Sequence, residues 1–220
     1  MGQRYFYVAP PPHDRNTSRH MLNSITNLMH AVALTTYTIL IGRALALGEE
    51  HFTVWIFVTF FIVMIVKYLG MIVHLPVVDL HDRRHHTFWI AISIAVIFMN
   101  AFTLLAIQAH VGIVIAGTAI TGGLCGYYMH TLFRPDRGNF AFVALAMVIE
   151  YGLCAALTTG PVRFAWVCLI ASNALWVALK QVKALSERKL HNDIYHLLLI
   201  GSSYLLYDSI TSGLWKAIWP

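Results

Sequence analysis

Charged side chains are scarce in this sequence. Only 11% of its 220 residues are Asp, Glu, Lys or Arg, where a soluble domain carries roughly 25%. With 58% hydrophobic residues and a mean hydropathy of +0.66, that deficit argues against a water-exposed globule and for a membrane protein. Cysteine is also rare. Cys125, Cys154 and Cys168 all fall inside apolar stretches with no CxxC pair, which argues against a disulfide framework and against a thiolate metal site. There is no low-complexity tract and no internal repeat. Residues 1–20 lack a long apolar run, so no cleaved signal peptide is expected, and Pro10-Pro11-Pro12 mark an extended tail. A myristoylation signal after Met1-Gly2 would need Ser or Thr where Phe6 stands. The net charge of +5 is spread through the polar breaks, so it reads as membrane orientation rather than nucleic-acid binding.

What the chain does have is long apolar runs. Seven stretches, near 22–47, 52–78, 87–108, 111–134, 139–159, 161–186 and 194–217, each approach the roughly 20 residues needed to cross a bilayer. The expected fold is all-α: a tail over 1–20, then a single seven-helix transmembrane domain over 21–220. Orientation follows from the basic residues. Eleven lie on the N-terminal side (Arg4, Arg15, Arg19, Arg83, Arg84, Arg134, Arg137, Lys180, Lys183, Arg188 and Lys189), and only Arg43, Arg163 and Lys216 lie on the other. The positive-inside rule then places the N-terminus in the cytoplasm and the C-terminus outside.

Ten of the twelve histidines fall on or near that cytoplasmic side, His51 and His110 being the exceptions. The segment HDRRHH (81–86) opens the third span, His74 closes the second, and His191 and His196 open the seventh. Neutral imidazoles from several helix ends, with a carboxylate nearby, can supply the three protein ligands of a catalytic zinc. Water on such an ion becomes a nucleophile near neutral pH. Most interfacial histidines are only solvated or cap helices. His74 and His196 differ in having apolar flanks (GMIVHLPVV and DIYHLLLIG).

A second polar layer lies deeper. Counted from the cytoplasmic ends of their spans, Lys67 and Glu150 are eleven residues in, Asn100 and Asn173 thirteen, and Asp208 about fourteen. At the helical rise this is about 16–21 Å. Ionisable groups at such depth face the bundle interior or a cavity. An internal ion pair of Lys67 with Glu150 or Asp208 is expected, and Lys67 shares a helix face with His74, seven residues on.

Three pieces, LNSITNL (22–28), GMIVH (70–74) and NDIYHLLLIGSSYL (192–205), touching about 26 residues, resemble the alkaline ceramidase, adiponectin-receptor and hemolysin-III superfamily of seven-span proteins. The resemblance implies a zinc-dependent hydrolase acting on a lipid amide or ester. The family pattern has a Ser four residues before the span-two His, an Asp opening span three, and two His four apart in span seven. His74 and His196 match. Gly70 and Asn192 depart, and the Asp position falls near His85. His85 and His191 are the substitute metal ligands, and Asp82 is the candidate catalytic carboxylate. The partners are then a lipid substrate and bilayer lipids.

Two other readings stay open. His81-x3-His85-His86 and His191-x4-His196 also have the spacing of histidine boxes in membrane di-iron oxidases and hydroxylases, and imidazole suits iron as well as zinc. A haem held by His30 and His74 is a further variant. The non-enzymatic alternative is a receptor-like seven-span protein or an integral subunit of a larger membrane complex.

Overall fold

The computed structural model describes residues 17–75, 83–132, 140–188 and 190–211, without the side chains of 17–21 and 83–85. Among the described residues there are eight helices and no strand: α1 (Thr17–Ala46), α2 (Val54–Val73), α3 (Arg83–Ala106), α4 (Val111–Thr131), α5 (Ala141–Leu157), α6 (Gly160–Gln181), the short α7 (Lys183–Glu187) and α8 (Leu190–Thr211). Five of them, α1 to α4 and α6, are long and apolar enough to cross a membrane, and α5 is apolar but shorter. The expected tail over 1–20 overlaps the first turn of α1, which begins at Thr17.

Local chemistry sets the helix ends. Thr53 caps α2, its hydroxyl accepting from Ile56 N at 3.3 Å. At the other end the His74 N–H turns back onto the Gly70 and Met71 carbonyls, two residues before Pro76, which favours ending the helix. His110 caps α4 through Nδ1, which accepts from Gly112 N at 3.1 Å. In the α5–α6 hairpin Gly160 takes φ +60°, a conformation that glycine adopts without strain, and Pro161 follows in the first turn. Arg163 Nε donates to the carbonyls of Ala155 (2.9 Å) and Thr158 (2.7 Å), satisfying acceptors at the end of α5. Within the helices, hydroxyls such as Thr38, Thr103 and Ser172 donate to the carbonyl four residues back, so they need no partner in an apolar surround.

The packing is a ring. α1 touches α2 and α8, α2 touches α3, α3 touches α5, α5 touches α6, and α6 touches α8. α4 packs outside the ring, against α3 and α5. The surface is inverted relative to a soluble protein. Ile39, Val111, Ile115 and Phe164 are exposed, while Asn23, Asn27, His30, Asn100 and Glu150 are buried. α8 shows this most clearly: His191, Asp193, His196, Ser202 and Ser203 are buried, and Leu197 and Tyr204 face outward. Its polar face points into the bundle.

Three hydrogen bonds close the ring between α1 and α8. Thr26 Oγ1 donates to Asp193 Oδ1 (3.2 Å), Asn27 Nδ2 to His196 Nε2 (2.9 Å), and Ser203 Oγ pairs with His30 Nε2 (2.9 Å). Side-chain hydrogen bonds between packed helices contribute modestly. A double-mutant cycle of His30→Leu and Ser203→Ala, read by reversible unfolding in mixed micelles, is expected to give a coupling of about 0.6 kcal/mol and no more than about 1.7.

Candidate functional site

The ring encloses two adjoining chambers, and α4 contributes to neither. The outer one, about 320 Å³, lies where α2 ends and α3, α5 and α8 begin; His74, Trp89, Phe140 and Asn192 line it. The inner one, about 70 Å³, is walled mainly by apolar side chains such as Leu34, Phe60, Val63, Met99 and Leu206, with His30 and Glu150 among them. Val66, Lys67, Val96, Met147 and Tyr195 belong to both linings and form the boundary.

His74 and His196 do share the outer chamber, one from the end of α2 and the other from the second turn of α8. Asn27 holds His196. Its amide nitrogen donates both to Asn23 O (2.9 Å) and to His196 Nε2, so the neutral ring carries its proton on Nδ1. That Nδ1 is buried and has no partner among the described residues. The approach of Asn27 depends on Gly70: a Cβ there would lie 3.0 Å from Asn27 Oδ1. Glycine at position 70 therefore has a local reason, since Asn27 fills the space that a side chain would take.

Of the other expected ligands, His191 does not join them. His191 is buried, but its Nδ1 lies 3.4 Å from the Leu185 carbonyl and its ring is beside Trp176; it lines neither chamber. Its position five residues before His196, rather than four, rotates it off that residue's face. Asp82 and the His85 side chain lie outside the described residues, as does His81. Among the described residues, no three His, Cys, Asp or Glu side chains converge as a metal site.

The deeper layer divides into two knots. In the first, Asn100, with its amide oriented by its neighbours, donates to Val96 O (3.2 Å) and to Glu150 Oε2 and accepts from Thr121 Oγ1 (3.2 Å), joining α3, α4 and α5. In the second, the Lys67 ammonium sits 5.9 Å from the centre of the Tyr195 ring, and the Tyr195 hydroxyl donates to Asn173 Oδ1 (3.1 Å). The expected ion pair is not formed. Lys67 and Glu150 face the same inner chamber, but among the described residues no carboxylate is paired with Lys67. Asp208 is exposed and lines neither chamber, because its azimuth on α8 points away from the ring.

Asn27, His30, Tyr195 and Ser203 were not singled out from depth along the spans. Asn23, Asn27 and His30 stand at i, i+4 and i+7 on α1, and His196 and Ser203 are seven apart on α8. Such polar stripes on apolar helices mark the faces that meet. Comparison with protein-family models, with curated proteins and with solved structures finds no match for this chain.

Proposed function

We propose that the chain is a seven-span membrane protein, N-terminus cytoplasmic, that acts on a lipid amide or ester at the cytoplasmic end of its helix ring. The observation that carries this reading is the pairing of His74 and His196 on one chamber that adjoins an apolar inner one. Imidazoles stand at the polar end, and the inner walls suit an acyl chain. A lipid substrate would reach them laterally between helices.

A metal at this end would take His74 and His196 and one further ligand from His85 or Asp82. Zinc bound there would supply a Lewis acid and a water of lowered pKa. The chain's own part is positional. Asn27 fixes the His196 ring, Gly70 admits Asn27, and Tyr195, whose ring centre is 5.4 Å from that of His196, separates it from the inner chamber. Metal binding at His196 Nδ1 requires Asn27 to present its oxygen, rather than its nitrogen, to Nε2.

The Asn27 bond, as it stands, favours a second reading: a receptor-like seven-span protein, or a subunit of a membrane complex, that holds an amphiphile without cleaving it. Elemental analysis of purified protein separates the two. About one zinc per chain, lost in His74→Ala and in His196→Ala, is expected for the hydrolase. About two irons would indicate the di-iron oxidase instead. No metal in protein purified without chelator would sink both enzymes and leave the binding reading.

A further inference from the structure

We infer that the outer chamber binds an anionic head group, a phosphate or a carboxylate carried by a lipid, with Lys67 as its counter-charge. The inference goes beyond the proposed function, since it holds for a hydrolase and for a non-catalytic binder alike.

Among the described residues the chamber's charges are of one sign. Lys67 and Lys180 line it together with His74, His196, Asn27, Asn173 and Asn192, and no described Asp or Glu is among the lining residues. The described carboxylates are engaged or placed elsewhere. Glu150 lines the inner chamber and not the outer one, its Oε2 bonded by Asn100, and Asp193 accepts from Thr26. Glu187 pairs with Lys183 at 3.9 Å on the exposed α7, and Asp208 faces outward. Glu49 and Glu50 lie in the α1–α2 turn, at the opposite end of the ring from His74.

An ammonium inside a helix bundle is costly unless an anion faces it. Among the described residues Lys67 has only the Tyr195 ring, and a cation–π contact replaces part of an anion's stabilisation. Lys180, exposed at the mouth and 5.4 Å from the Trp176 ring centre, extends the positive field outward. An incoming anion is therefore attracted at the mouth and neutralised at Lys67. The apolar inner chamber that adjoins the outer one at Lys67 argues that the anion is borne by a lipid rather than free in solution.

The test is a binding titration of the full chain in a neutral detergent, read by tryptophan fluorescence, since Trp89 and Trp176 line the chamber. The probes are dodecyl phosphate, dodecanol of the same chain length, and inorganic phosphate. Dodecyl phosphate is expected to bind about tenfold to a hundredfold more tightly than dodecanol, as one charge-assisted contact allows. Lys67→Met is expected to erase that preference and Lys67→Arg to keep it. Failure of inorganic phosphate to compete supports the lipid-borne anion; competition at equal affinity overturns the lipid source. Equal binding of dodecanol and dodecyl phosphate, or an unchanged preference in Lys67→Met, overturns the site. Should Lys67→Met not fold, mass spectrometry of lipids retained by the wild-type chain decides: enrichment of anionic over neutral lipid supports the site, and its absence overturns it. None of these readouts depends on metal or on hydrolysis.

Discussion

Asn100→Leu is expected to lower the unfolding free energy by about 2–4 kcal/mol, measured by reversible unfolding in mixed micelles. Glu150 is 1% exposed, its Oε1 has no partner among the described residues, and its Oε2 is bonded by the Asn100 amide. Removing that amide leaves a buried carboxyl group without its donor, and an unsatisfied polar group costs more than the bond contributed. Asn100 also ties the Val96 carbonyl and the Thr121 hydroxyl, so α3, α4 and α5 are loosened together. The double variant Asn100→Leu with Glu150→Leu is expected to recover most of the loss, because neither partner is left alone. If the double variant is as unstable as the single, the knot is not what holds these helices.

Gly70→Val is expected to cost about 1–3 kcal/mol of stability and to disturb the site as well. Its Cβ would lie 3.0 Å from Asn27 Oδ1, and Asn27 cannot retreat freely while it donates to Asn23 O and His196. Displacing Asn27 frees the His196 ring, so the fluorescence titration with dodecyl phosphate should weaken along with stability. Gly122→Val is the control. A Cβ there meets nothing within 4 Å, on a helix that lines neither chamber, and its effect is expected to stay within about 0.5 kcal/mol. Similar losses at positions 70 and 122 would show that the close approach at Gly70 has no special role.

Depth along each span was readable from the sequence, and azimuth was not. The apolar runs located the long helices closely: the stretch near 111–134 is the helix Val111–Thr131, and that near 139–159 is Ala141–Leu157. Where boundaries differ, local chemistry decides. The sixth stretch, read to 186, breaks at Val182, whose backbone is extended, and α7 follows as a separate turn. Equal depth for Lys67, Asn100, Glu150 and Asp208 suggested one polar layer. Rotation about each helix axis sorts these residues into a knot at α3–α5, a cation beside Tyr195 and an outward Asp208. His74 and His196 were legible because each stands alone within apolar flanks. Asn27 was passed over because an amide has no charge to draw attention, although its spacing from Asn23 and His30 held the information.

The three bonds between α1 and α8 join residues 167, 169 and 173 positions apart. Ser24 and Thr35 of α1 meet partners on α2, but Thr26, Asn27 and His30 find theirs on α8 only when α8 has been made. Through most of synthesis Thr26, Asn27 and His30 have no native partner from α8, so the nascent chain needs either water or a protein shelter around α1. Chains stopped before residue 190 would be left with an open ring and an unmatched polar face. Closure of the ring is accordingly a late event in the chain's own folding, whatever the other helices have already formed.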